Sequence, residues 1–177
     1  ALGAFEAVEP LLKEGLNLDG KNIKLLQTQA MLRQKLKDHV GVVESIEKTM
    51  VQGDTSDYYQ MMIGVAYLKT DSVDKAIEHL TAIVSRGEAS EHTHHYLGLA
   101  YLEKEELDSS VVNLEKAAEL GISEKMGIYH ADLAKVKQMQ YQYKDAINHY
   151  EEAYAYSEKP EHLFHLARNC DLYYKDK

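Results

Sequence analysis

Apolar and small residues recur along this chain at a spacing of 34. Segments laid from Asp57 and from Glu91 match Ile63-Gly64 with Leu97-Gly98, Tyr67 with Tyr101, Leu80 with Leu114, and Gly87 with Gly121. A segment from Ile23 follows the same register, with Ala30 at the glycine position, Ile46 at that of Leu80, and Gly53 at that of Gly87. The next copy starts at Gly127, after two extra residues, and carries Leu133-Ala134, Ala146, Tyr150 and Ala153. Half a copy stands at the N-terminal edge, where Ala4, Val8, Leu11 and Gly15 take the offsets of Ala76, Leu80, Ile83 and Gly87. Leu163, Leu166, Ala167 and Cys170 open one more from Pro160. A period of this size means a stack of supersecondary units, because one such unit cannot bury its apolar face alone.

Within a copy the spacing is helical. Ile63, Gly64 and Tyr67 fall three and four apart, as do Ala76, Leu80 and Ile83. Two apolar stripes with a short polar break between them predict two antiparallel helices per copy. The predicted helices are 2–14, 22–36, 39–52, 57–69, 73–86, 91–104, 107–120, 124–140, 143–156 and 160–174. Thr70-Asp71-Ser72 offers N-cap oxygens at the first break, and Asp54-Thr55-Ser56, Ser90 and Ser123 offer them at the second. Gly53, Gly87 and Gly121 stand where a left-handed cap would close the preceding helix. Gly64, Gly98, Ala30, Ala134 and Ala167 in first helices, and Ala76, Ser110 and Ala146 in second helices, mark close crossings, where a short side chain leaves room for a neighbour.

The unit carrying Tyr96-Leu97-Gly98-Leu99-Ala100-Tyr101, Ser110, Leu114 and Ala117 resembles the tetratricopeptide repeat, as does Ile63-Gly64-Val65-Ala66-Tyr67 with Ala76 and Leu80. Two copies depart from the pattern. Gln29, Arg33 and Thr49 stand at usually apolar or small sites, and Lys137 stands where Tyr67 and Tyr101 do. The resemblance implies an all-α fold, a right-handed α-solenoid over residues 1–177 read as one domain. It would comprise a half repeat at 1–22, repeats at 23–56, 57–90, 91–126 and 127–159, and a partial repeat at 160–177.

The resemblance further implies that first helices line a concave groove that holds a peptide or helix of another protein. Carried over copy by copy, the groove residues are Lys24, Gln27, Met31, Gln34 and Lys35, then Tyr58, Met61, Val65, Leu68 and Lys69. His92, His95, Leu99, Leu102 and Glu103 follow, then Ile128, Ala131, Lys135, Gln138 and Met139, and last Glu161, Phe164, Arg168, Asp171 and Leu172. This set holds five basic and three acidic residues, in a chain whose net charge is −9. An apolar floor beside Lys and Arg fits a partner segment with apolar anchors and acidic residues. Val65, Leu68, Leu99 and Leu102 also fit plain packing between repeats. The Lys and Asn clamp by which some relatives hold a C-terminal carboxylate is lacking: Gln27, Met31, Met62, His92 and Tyr96 occupy its sites.

Composition narrows the function classes. With 45% hydrophobic residues in 177, a sizeable core is available. Lys and Arg number 20 against 29 Asp and Glu, the opposite of what gripping phosphates needs, so nucleic acid is not expected as a partner. No run approaches the roughly 18 apolar residues of a membrane span. The sequence begins at Ala1 without a signal-peptide pattern, and no compartment is assigned.

Three histidines, His92, His94 and His95, form the most enzyme-like cluster, and His162 and His165 a second pair. Zinc would need third and fourth ligands such as Glu88 or Glu91. His94 instead matches an intrarepeat packing position, shared with His130. Cys170 sits at the slot of Tyr67 and Tyr101 and reads as a small buried hydrophobe. Tyr141, Tyr143, Tyr154, Tyr156, Tyr173 and Tyr174 crowd the C-terminal third, either covering the last repeat or facing a partner. The acidic runs 103–106 and 151–152 read as solvated faces. No metal, cofactor or catalytic residue is expected. The expected role is a scaffold that binds another protein. The alternative is a self-associating part of a larger assembly, with a homodimer formed through the half-repeat ends.

Overall fold

A computed structural model of the chain describes residues 2–87, 89–121 and 125–175, with side chains from residue 8 onward. The half-repeat residue Ala4, the predicted cap Ser123 and the candidate ligand Glu88 therefore lie outside the described side chains. Among the described residues there are ten helices and no strand: α1 (Leu2–Leu18), α2 (Ile23–Lys35), α3 (His39–Val51), α4 (Asp57–Lys69), α5 (Val73–Val84), α6 (Glu91–Glu103), α7 (Leu107–Leu120), α8 (Met126–Met139), α9 (Tyr143–Ser157) and α10 (Pro160–Lys175). The chain divides within α5 into two compact units, residues 1–82 and 83–177.

In the first unit α1 packs on α2, α2 on α3, and α3 on α4. Leu26, Ala30, Val42, Ile46, Ile63 and Leu80 are its buried centre. A Cβ on Gly64 would lie 2.9 Å from Leu80 Cγ, which is why the mid-helix glycine is tolerated. In the second unit α6 pairs with α7, α8 with α9, and α10 packs on α9. Leu102, Val111, Leu114, Leu133 and Val136 form one core cluster. Ala117, Met126 and Tyr129 form another. A Cβ on Gly98 would come within 2.7 Å of Leu114 Cγ. The Ser110 hydroxyl donates to the Gly98 carbonyl at 2.8 Å across the same crossing, so the small residue there is also a hydrogen-bond donor.

The two kinds of break close differently. Gly53 and Gly87 take positive φ of 101° and 80°, the left-handed cap expected of them. Gly121 does not: its φ is −70°, and a Cβ there would run into the Met126 sulfur and lie 3.1 Å from the Ala117 carbonyl. Glycine stands at that position for close approach. Gly15 is likewise no cap, because α1 runs on to Leu18, and a Cβ on Gly15 would meet Leu25 Cδ1 at 2.8 Å. At the break between first and second helix, the left-handed residue is Lys37, Asp71, Glu105 or Tyr141, with φ of 57°, 56°, 61° and 61°. The next N–H reaches back five residues: Asp38 to the Arg33 carbonyl, Ser72 to Tyr67, Glu106 to Tyr101, and Gln142 to Lys137, each at 2.9 Å. That is a Schellman closure. Next to Asp71, the Ser72 hydroxyl donates to the Thr70 carbonyl at 3.4 Å. Ser90 does cap α6, accepting from Thr93 N at 3.3 Å.

The departures from the repeat pattern have a common cause. Tyr67 donates its hydroxyl to the Glu47 carboxylate of the preceding copy. Arg33, at the same repeat position, reaches Glu9 at 2.8 Å, and Lys137 reaches Glu115 at 3.6 Å. A tyrosine, an arginine and a lysine thus make one equivalent bridge, from the eleventh position of a copy to a glutamate of the copy before. Burial first, then the Glu47 hydrogen bond and charge, push the Tyr67 phenol well above its usual range.

Candidate partner-binding surface

The first helices α8 and α10 of the second unit border a cleft. A cleft of about 560 Å3 lies between α8 and α10, lined by Ala131, Asp132, Lys135 and Gln138 from α8, by Glu161, His162, His165 and Arg168 from α10, and by Tyr150 from α9. The floor is aromatic: the Tyr150 and His165 rings stack with centroids 5.3 Å apart. Burial and the Asp132 carboxylate hold the Tyr150 phenol above its usual range, and the Arg168 charge opposes them. Asn169, fully buried behind the cleft, donates to Gln138 Oε1 at 3.0 Å and to the His165 carbonyl at 2.8 Å, fixing α10 against α8.

The charges of this cleft are unevenly satisfied. Asp132 Oδ2 lies 2.7 Å from His95 Nε2, and Glu161 lies 3.8 Å from Lys159. Both acids therefore have cationic or donor partners. Lys135 and Arg168 form no salt bridge among the described residues. An anion entering the cleft would meet two cations with no competing carboxylate bound to them.

His95 is drawn into this network. Its ring lies 4.7 Å from that of Tyr129 and 5.5 Å from that of Tyr96, and its side chain is only 12% exposed. His92 sits 2.8 Å from Lys125 Nζ, and its other nitrogen lies 3.2 Å from Glu91 Oε1. Leu99 is half-buried, Ile128 and Lys135 are exposed, and Leu102 is buried in the core against Leu133 and Val136. On the first unit, Met31 and Tyr58 are exposed, Met61 and Val65 are half-buried, and Lys24 and Lys69 are exposed. The Gln27 amide donates to Asp54 Oδ2 at 2.6 Å. Tyr58 sits edge-on to Tyr59 at 5.1 Å.

The histidines of the two clusters find partners within the fold. His94 Nδ1 lies 3.1 Å from Asn113 Oδ1 on the paired helix, the intrarepeat position expected for it. His130 and His149 approach at 3.3 Å, and Gln60 and His79 at 2.6 Å. All three pairs are 19 residues apart, so each joins the same two repeat positions. No motif of spacing marks them, because Gln, His and Asn interchange there. His162 is buried and His165 half-buried on Tyr150. Among the described residues no three His, Cys, Asp or Glu side chains converge as metal ligands would. Cys170 was expected to be buried. It is half-exposed, and Ala167 is exposed, because no described second helix covers their face of α10. Of the crowded tyrosines, Tyr156 stacks on His130 at 5.7 Å, and Tyr141 meets Tyr143 edge-on at 6.3 Å. No described helix is long and apolar enough to cross a membrane.

No protein-family model and no curated protein matches the sequence. Solved structures do match. A structure titled "YrrB: a TPR protein with an unusual peptide-binding site" superposes with a TM-score of 0.81 at 12% identity, over 94% of this chain and 85% of that one. MamA from Desulfovibrio magneticus RS-1 gives 0.78 at 22% identity, over 87% of this chain and 86% of that one. PilW, described as a widely conserved type IV pilus biogenesis factor, gives 0.75 at 14% identity, over 97% and 82%. Together with the 34-residue register and the ten described helices, these likenesses show that the chain has the tetratricopeptide-repeat fold, an all-α solenoid.

Proposed function

We propose that this chain is a non-catalytic scaffold that binds another protein, and that the α8–α10 cleft takes an acidic segment of that partner. The observation that carries the reading is the pair of unpartnered cations, Lys135 and Arg168, over the Tyr150–His165 floor. Arg can bind a carboxylate through two parallel N–H donors, while Lys supplies a point charge. The aromatic floor offers apolar area to a residue beside that carboxylate. The peptide-binding site named for YrrB agrees with a scaffold role for this fold. His95 acts here as a positioning residue. It holds Asp132 away from Lys135 and so leaves the cation available.

The test is a panel of fluorescent peptides of matched length, pairing an aromatic residue with Glu, Gln or Lys, titrated against the chain and its Lys135→Glu, Arg168→Glu double variant. The Glu peptides should bind the native chain more tightly than the Gln and Lys peptides. The double variant should lose that preference by about tenfold or more, with helicity unchanged. Equal affinity for all three peptides, or a preference that survives in the variant, would overturn the cleft as the binding site.

A further inference from the structure

The tenth position of a copy is an apolar, buried slot. Leu32, Ala66, Ala100 and Val136 occupy it, between 0% and 6% exposed. Helix α10 breaks this pattern with Asn169, which is 0% exposed. A buried amide costs free energy unless its polar groups are paired. Here the pairing is one-sided. Asn169 Nδ2 donates twice, to Gln138 Oε1 at 3.0 Å and to the His165 carbonyl at 2.8 Å. Its Oδ1 is buried with no hydrogen-bond partner. Stability alone favours the alanine, leucine or valine of the other copies at this slot, so the amide points to a use for its donor side.

That donor side fixes an orientation on α8. A backbone carbonyl only accepts, so the Asn169 atom facing the His165 carbonyl is the amide nitrogen. Its second proton goes to Gln138, which must answer with its oxygen. The oxygen and nitrogen of a glutamine amide diverge from one carbon, so Gln138 Nε2 faces away from Asn169. Gln138 lines the α8–α10 cleft, whereas Asn169 lies behind it. Gln138 Nε2 makes no hydrogen bond among the described residues. Lys135 and Arg168 border the same cleft.

We infer that Gln138 is a specificity-determining residue of this cleft and that Asn169 is its positioning residue. With its oxygen held inward, Gln138 offers a neutral N–H donor to a ligand that Lys135 and Arg168 attract by charge. A carboxylate oxygen accepts such a bond more strongly than an amide oxygen does. Released from Asn169, the Gln138 amide is free to turn its oxygen outward, where it would repel a carboxylate. This role presupposes that the cleft is the binding site proposed above.

The same fluorescent Glu and Gln peptides test it, titrated against the native chain, Gln138→Met, Asn169→Ala and the double variant. Gln138→Met keeps the length of the side chain and removes the donor. Asn169→Ala installs the residue that two other copies carry at this slot, and circular dichroism checks that each variant is folded. Each single variant should bind the Glu peptide about fivefold more weakly, with a smaller change for the Gln peptide. The double variant should lose no more than Gln138→Met does, because Asn169 acts only through Gln138. A merely structural Asn169 would instead weaken both peptides alike, and its loss would add to that of Gln138→Met. That result, or full affinity for the Glu peptide in either single variant, overturns the roles of Gln138 and Asn169 and leaves the cleft standing. A native chain that binds the two peptides equally overturns the cleft, and these roles with it.

Discussion

Glu105 illustrates how a single residue can oppose the local geometry its turn requires. It is exposed, and its φ of 61° is left-handed, as at Lys37, Asp71 and Tyr141. An L-residue with a β-carbon loses roughly 1–2 kcal/mol there. Glycine escapes that cost but adds freedom to the unfolded chain, which takes back part of the gain. Glu105→Gly should therefore raise stability by about 0.5–1 kcal/mol, read as a higher denaturation midpoint at unchanged cooperativity. A lower midpoint would mean that the Glu105 side chain makes a contact worth more than the strain. These four positions carry no glycine and share no chemistry, so sequence reading found the breaks without finding the residue that closes them. The Schellman bond is made by backbone groups, and only coordinates reveal it.

Three helix pairs are joined by polar links that contain histidine. Burial holds the His130 and His149 imidazoles below their ordinary pKa, and for His149 the His130 charge and then Lys137 add to this. Glu152 opposes the shift at His130, and Glu115 and Asp145 oppose it at His149. A histidine depressed in the folded state binds fewer protons than in the unfolded chain. Stability is therefore full above the unfolded value of about 6.5 and falls as pH drops below it, until the folded form protonates too. His79 and His162 are depressed by burial in the same direction. His130→Gln with His149→Asn rebuilds the link from residues that other copies use at those positions. The double variant should lose less thermal stability between pH 7 and pH 5 than the native chain does. An identical slope in the two proteins would place the acid sensitivity elsewhere. At this scale the sequence was informative: nine of the ten helices end within about two residues of their predicted bounds, because apolar period and polar breaks are local properties. The exception, α1, extends four residues past its predicted end at 14, since Gly15 there serves the approach of Leu25 rather than a cap.

For the molecule as a whole, stability in a repeat protein is distributed through neighbours, so elements with a neighbour on one side are the first to open. Helix α10 packs on α9 and α1 on α2, whereas α8 packs on α6, α7 and α9. Amide exchange at low protein concentration should be faster in α1 and α10 than in α8. Exchange in α10 as slow as in α8 would mean that stability is not set by the number of packed neighbours.

The repeat, the helix pairs and the close crossings were legible in the order of residues, because each depends on spacing along the chain. Arg33 and Lys137 looked like lapses from the pattern, and only the fold brings them to Glu9 and Glu115 on a preceding helix. Likewise, the sequence placed Lys135, His95 and Arg168 on first helices. It took the tertiary structure to pair His95 with Asp132 and to leave the two cations over Tyr150 without a carboxylate. Periodicity determines which face of a helix is buried. Which charges meet across helices depends on distances between residues far apart in the chain, and those distances are set only when the helices pack.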